Sequence, residues 1–120
     1  MTATVLVVED EPDIVQLVHV IMRRGGYTVF GAATLHDAAR AIGERRPDLI
    51  LLDVGLPDGD GWELLHETRA ADIPVIVLSA HSSPATTKRA EREVVAGYVT
   101  KPFTPEQLLS AVRSVLTSAS

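Results

Sequence analysis

The sequence predicts one α/β domain, a three-layer α/β/α sandwich built on a five-stranded parallel sheet. Three observations carry that expectation: short apolar runs without polar alternation, amphipathic segments of helical period between them, and glycine or proline where one pattern gives way to the other. Strands that are apolar on both sides belong in the middle of a sheet covered by helices on both faces.

The first strand is Val5 to Val8, an apolar run followed at once by Glu9, Asp10 and Glu11. The first helix spans Pro12 to Arg24, with Ile14, Leu17, Val18 and Ile21 on one stripe, Pro12 in the first turn and Gly25-Gly26 as the stop. Tyr27 to Gly31 reads as the second strand. Thr34 with Asp37 opens the second helix in a capping-box pattern, and Ala38, Ala41 and Ile42 continue it to the break at Pro47. Leu49 to Leu52 and Val75 to Leu78 are the third and fourth strands, and Tyr98 to Thr100 is the fifth. Helices are expected from about Gly61 to Arg69, from Pro84 to about Glu93 and from Pro105 to about Thr117. Right-handed crossovers between parallel strands then distribute the helices over both faces.

Composition narrows the function classes. The chain has 120 residues, 46% of them hydrophobic, which fits one core with no linker, repeat or low-complexity segment. Eleven Lys and Arg against sixteen Asp and Glu give a net charge of −5, which argues against direct nucleic-acid binding by this segment. Aromatic residues make up only 4%, too few for a base-stacking platform. The absence of cysteine excludes disulfides and thiolate chemistry and is compatible with a reducing, cytoplasmic setting. The apolar run near the N-terminus is too short for a membrane span and lacks the form of a signal peptide.

In a parallel sheet of this kind, ligands bind beyond the carboxyl ends of the strands. Those positions hold Glu9-Asp10-Glu11, Asp53, Ser79 and Lys101-Pro102. Taken singly, each has an ordinary explanation: acids flank many strands, a serine caps helices, and a lysine reaches solvent. Together they are different, because the topology gathers them at one edge, where neighbouring carboxylates repel unless a proton or a cation intervenes. Mg²⁺ or Mn²⁺ suits a few carboxylates, a carbonyl and water, whereas Ca²⁺ prefers a richer cage. Zinc is disfavoured, since His19, His36, His66 and His81 show no paired ligand spacing near the acids and read as surface or partly packed side chains.

The motifs VLVVEDEP, DLILLDVGLPDGDGWELL, PVIVLSA and YVTKPF stand in this order, each at a strand end. With them the chain resembles the receiver domains of bacterial response regulators, from the first strand to the last helix. The resemblance implies a flavodoxin-like sheet of order 2-1-3-4-5. It implies that Asp53 accepts a phosphoryl group from a cognate sensor histidine kinase, and that Glu9, Asp10, Asp53 and the backbone carbonyl of Gly55 hold the metal. Lys101 and Ser79 would contact phosphoryl oxygens, and Ser79 with Tyr98 would form the switch. The surface of the fourth helix, fifth strand and fifth helix would be the output face and could support a phosphorylation-dependent homodimer. Such a domain is not an enzyme acting on a separate substrate, since it catalyses only its own phosphotransfer and autodephosphorylation. The segment is either a single-domain regulator or the receiver part of a longer one.

The sequence departs from the family pattern before YVTKPF, where Val94 and Val95 replace a Gly-Ala pair. Valine resists positive φ, so Gly97 is expected to provide that conformation. Gly55 leaves the approach to Asp53 open, and His81 on the opposite lip either bonds a phosphoryl oxygen or faces solvent. A phosphohydrolase of the haloacid-dehalogenase type would need a second Asp two residues after the nucleophile, where Gly55 stands. A flavin-binding module or a receiver-like domain working through protein contacts alone is the alternative from the binding class, and it would be favoured if the acids or Lys101 were missing.

Overall fold

The computed structural model describes residues 2–54, 61, 64–66, 72–79 and 95–118. Within them five strands, β1 (Thr4–Val8), β2 (Thr28–Ala32), β3 (Leu49–Asp53), β4 (Val75–Ser79) and β5 (Gly97–Thr100), form one sheet in the order β2-β1-β3-β4-β5. Every neighbouring pair is parallel. The architecture and the strand order expected from the sequence are therefore present.

The three central strands explain their own position. Val5 to Val8, Leu49 to Leu52 and Val75 to Leu78 are buried almost completely, so both faces of the sheet need cover. On one face α1 (Pro12–Arg24) and the C-terminal helix (Pro105–Ser118) supply Val18, Ile21, Met22, Leu108 and Val112, which pack on Val5, Val7, Leu49, Leu51, Ile76 and Leu78. On the other, α2 (Leu35–Glu44) supplies Ala38, with Leu35, Ala41 and Ile42 at its margin, and Leu64 and Leu65 complete a layer over Leu6, Val8, Ile50, Leu52, Val75 and Val77. Residues 61 and 64–66 are helical, inside the expected third helix, while the expected fourth helix lies outside the described residues.

Local chemistry sets the helix ends. In α1, Pro12 occupies the first turn, Asp13 lies near the positive end of the helix dipole, and Arg23 and Arg24 lie near the negative end. Gly25 ends the helix by donating to the Ile21 carbonyl at 3.1 Å, and Gly26, at φ +89°, turns the chain so that Tyr27 N–H reaches the Met22 carbonyl at 3.0 Å. Tyr27 thus belongs to the helix exit, and the second strand runs one residue later than its sequence pattern suggests. Thr34 Oγ1 accepts from Asp37 N–H at 3.0 Å, as the capping pattern predicts. The second helix stops at Glu44, with Arg45 already extended, rather than continuing to Pro47.

The C-terminal helix carries a cap the sequence reading did not name. Thr104 Oγ1 accepts from Gln107 N–H at 3.1 Å, and Gln107 Oε1 accepts from Thr104 N–H at 2.8 Å, which is a reciprocal capping box. Gly97 also differs from expectation. Among the described residues the only glycine with positive φ is Gly26, so Gly97 supplies no left-handed turn. It marks a close approach instead: a Cβ there would lie 3.2 Å from Ile76 Cγ1 on the adjacent strand, a contact tight enough that the isoleucine side chain would have to give by a few tenths of an ångström. Val95 packs against the core face that holds Val75 and Val77.

Candidate functional site

The register brings the strand ends together. Val8 pairs with Leu52, so Glu9 and Asp53, each one residue further on, emerge side by side from β1 and β3. Glu9 extends the β1–β2 ladder by donating its N–H to the Ala32 carbonyl at 3.0 Å. Across the sheet Ser79 pairs with Thr100, and Lys101 N–H donates to the Ser79 carbonyl at 2.6 Å, so the β4 and β5 ends are joined. The Lys101-Pro102 peptide bond is cis.

Side chains alternate between the faces with a period of two, which sorts these residues into two groups. Glu9, Asp53 and Lys101 continue the face of Val7, Leu51 and Val99, under α1 and the C-terminal helix. Ser79 continues the face of Val75 and Val77, and Tyr98, paired with Val77, packs against that same cluster. The acids and the amine thus share one side of the sheet edge, and the hydroxyl and the aromatic share the other.

Three carboxylates meet at the first group. Glu9, Asp10 and Asp53 each offer an oxygen within 4.8 Å of the others, with Glu9 buried, Asp53 half-buried and Asp10 exposed. Lys101 Nζ donates to Glu9 Oε1 and, at 3.2 Å, to Asp53 Oδ2. The second Glu9 oxygen accepts from Asp10 N–H at 3.2 Å. One ammonium therefore serves two carboxylates in a place largely shut off from water.

The electrostatics follow from that count. Burial pushes the Glu9 carboxyl up to about 8, and the hydrogen bond and charge of Asp53 push the same way, while Lys101 opposes them. Burial alone would lower the Lys101 ammonium, but the hydrogen bond to Glu9 and the charges of Asp53 and Glu9 outweigh it, so its pKa is raised. One ammonium thus faces two neighbouring carboxylates, and burial beside Asp53 favours the protonated form of Glu9. The donor set, all carboxylate oxygens of one hard type clustered on one side, fits Mg²⁺ or Mn²⁺ in place of that proton.

Ser79 is buried and Tyr98 half-buried. Gly55 and His81, expected from the sequence to contribute a carbonyl and a lip, lie outside the described residues. His36 and His66 are exposed, and His19 sits on α1 with a buried Nε2 that has no hydrogen-bond partner among the described residues and a pKa lowered by burial and by Arg23. None of the described histidines joins the acidic cluster. The sequence reading did not anticipate that Lys101 bridges Glu9 as well as Asp53. No local pattern announces that contact, because β1 and β5 are not neighbours in the sheet.

Residues 5–113 match the family described as the response regulator receiver domain. The KDP operon transcriptional regulatory protein KdpE of Escherichia coli (strain K12) is 40% identical over 113 residues, covering 93% of this chain and 50% of the relative. The phosphate regulon transcriptional regulatory protein PhoB of the same organism is 33% identical over 120 residues, covering 97% of this chain and 52% of the relative. The chain spans about half the length of these curated relatives. Among solved structures, the signal receiver domain of a putative Luxo repressor protein from Vibrio parahaemolyticus has a TM-score of 0.91 at 28% identity, over 99% of this chain and 93% of that one. A CheY-like receiver domain protein from Methanospirillum hungatei JF-1 also scores 0.91, at 26% identity, over 98% of this chain and 96% of that one.

Proposed function

The chain belongs to the response regulator receiver domain family, and from that premise we propose that residues 1–120 form one receiver domain that works as a phosphoacceptor switch of a two-component phosphorelay. The observation that carries this reading is the Asp53 carboxylate at the end of a central strand, 3.2 Å from Lys101 Nζ and clustered with Glu9 and Asp10.

In the proposed reaction an Asp53 carboxylate oxygen attacks the phosphorus of a phosphohistidine on a cognate sensor histidine kinase. The O–P bond forms as the P–N bond breaks, and the imidazole nitrogen leaves with the bonding pair and takes up a proton. Lys101 binds one phosphoryl oxygen and the Ser79 hydroxyl donates to another, which orients the group for in-line displacement. Glu9, Asp10 and Asp53, with the Gly55 carbonyl, would hold Mg²⁺ or Mn²⁺. The bound cation supplies the positive charge that lets two anions approach. Autodephosphorylation reverses the covalent step, as water attacks phosphorus and the carboxylate and inorganic phosphate separate.

The phosphorylated state is read on the opposite face of the sheet edge. Ser79 and Tyr98 share that face, so movement of Ser79 toward a phosphoryl oxygen opens space that Tyr98 can enter. The surface of the fourth helix, β5 and the C-terminal helix is then the output face, and a phosphorylation-dependent homodimer forms through it. A monomer mass that stays unchanged with a phosphoryl mimic would remove the dimer. Partner recognition through protein contacts, without nucleic-acid binding by this segment, agrees with the net charge of −5. Among the described residues no helix is long and apolar enough to cross a membrane, and the reading places the domain in the cytoplasm beside its kinase.

Intact-mass measurement with a small acyl-phosphate donor and Mg²⁺ tests the reading. One phosphoryl adduct on the native chain, absent in Asp53→Asn and in excess chelator, is expected. An adduct that persists in Asp53→Asn overturns it.

A further inference from the structure

His19 stands apart from the acidic cluster, near the middle of α1 and one turn before Arg23. It is half-buried, and its Nε2 is shut off from solvent with no hydrogen-bond partner among the described residues. Across the contact between helix and sheet it faces Gly31 of β2. A Cβ built on that glycine would lie 3.4 Å from His19 Nε2 and 3.7 Å from the Val7 carbonyl oxygen, so the imidazole occupies the place where the strand has no side chain of its own. β2 ends the sheet and pairs with β1, and α1 covers it on this face.

A neutral imidazole fills this place at small cost, since it gives up one hydrogen bond. An imidazolium does not, because both ring nitrogens then carry protons and Nε2 turns a charged N–H toward backbone and apolar groups. The surroundings supply no compensating acid. On α1, Arg23 acts on His19 with the same sign of charge, and Asp13 and Arg24 are exposed. Neither β1 nor β2 carries an ionisable side chain. Glu9, just past β1 on the same face, has both oxygens engaged, by Lys101 and by Asp10 N–H, and the charged side chains of the C-terminal helix, Glu106 and Arg113, are exposed. Burial first, and Arg23 second, accordingly hold the imidazole below the ordinary histidine value of 6.5.

We propose that His19 is an acid-sensitive wedge between α1 and the edge strand β2. Neutral, it closes the contact over Gly31. Protonated, it swings out to water, and glycine leaves nothing to fill the space, so β2 loosens. The sign follows from the lowered value: the closed contact binds the proton less readily than the open one, so its contribution is full above 6.5 and is lost as pH falls below that. An edge strand is the part of a sheet with the fewest backbone partners, which makes it the element that a small local loss releases first. β1 stands between β2 and the strand that bears Asp53, so the wedge responds to acid without a cation or a phosphoryl group.

Amide hydrogen exchange of the full chain at about pH 7.5 and about pH 5.5, expressed as protection factors to remove the pH dependence of exchange itself, tests the wedge. In the native chain the β2 amides that bond to β1 are expected to lose protection severalfold at the lower pH. His19→Phe fills the space with a ring that does not titrate and is expected to hold β2 equally at both values. Glu9 titrates in both proteins, so their difference isolates His19. β2 protection that survives the lower pH in the native chain, or that falls equally in His19→Phe, overturns the proposal. An NMR titration of the native His19 ring, assigned through its backbone, needs no variant: titration below 6.5 is expected, and titration at or above it overturns the wedge.

Discussion

Lys101 and Ser79 are joined through their backbones, Lys101 N–H donating to the Ser79 carbonyl at 2.6 Å, while their side chains serve opposite faces of the sheet edge. Ser79→Ala keeps that backbone bond and removes only the hydroxyl. Phosphorylation by a small acyl-phosphate donor is expected to slow by about tenfold, the worth of roughly one hydrogen bond in the transition state, with thermal stability nearly unchanged. Time-resolved intact mass and a melting curve on the same sample measure both. An unchanged rate would remove Ser79 from the reaction.

Stability without metal should depend on pH through Glu9. Its carboxyl holds a proton to about 8 in the folded chain against an ordinary value of 4.5. Between those values the folded state binds the extra proton, so this contribution is fully present below 4.5 and is lost as pH rises through about 8. Lys101, raised in the fold, is charged in both states across this window and adds no slope there. The loss is on the order of a few kcal/mol, seen as a falling melting temperature between about pH 5 and about pH 9 in chelator. A flat profile contradicts the assignment.

Asp53→Asn removes the neighbouring charge that helps Glu9 keep its proton, and leaves Lys101 to neutralise Glu9 alone. The variant should melt higher than the native chain in chelator at about pH 8, by roughly 1 kcal/mol, and its pH slope should be shallower. Denaturant titration at two pH values decides this.

Mg²⁺ should stabilise the native chain more at about pH 8.5 than at about pH 5.5, because the cation replaces a proton on Glu9 and protons compete with it at low pH. The melting-temperature rise at saturating Mg²⁺ is the readout. An equal rise at both values would place the ion away from Glu9.

Thr104→Ala deletes one half of the reciprocal cap on the C-terminal helix and should cost about 1 kcal/mol. Gln107→Ala added to it should cost little more, since each bond supports the other. Chemical denaturation of the two variants and their double checks the coupling.

Most of the frame was legible in the sequence because burial on both faces leaves a plain mark. Leu49 to Leu52 and Val75 to Leu78 could hardly be anything but central strands, and their ends fixed where Asp53 and Ser79 would stand. Boundaries were less legible where one backbone bond decides them. Tyr27 is apolar enough for a strand, but its N–H is taken by Met22, and that bond depends on the φ of Gly26. Gly97 misled for a different reason: glycine signals either a turn or a close approach, and only the neighbouring Ile76 distinguishes them. In the site, the residues were visible as types at strand ends, whereas the pairing of Lys101 with Glu9 depends on side-chain reach past the two strands that separate β1 from β5, which no local pattern encodes.

The alternation that puts Glu9, Asp53 and Lys101 on one face and Ser79 and Tyr98 on the other has a consequence for how chain length can vary. Inserting or deleting a single residue inside β3 or β4 turns every later side chain of that strand through the sheet, carrying Asp53 to the tyrosine's side or Ser79 to the acids'. A change of two residues restores the facing and shifts only the distance. Length variation compatible with this arrangement therefore belongs in the connecting loops, and within the strands the site reads the chain in steps of two.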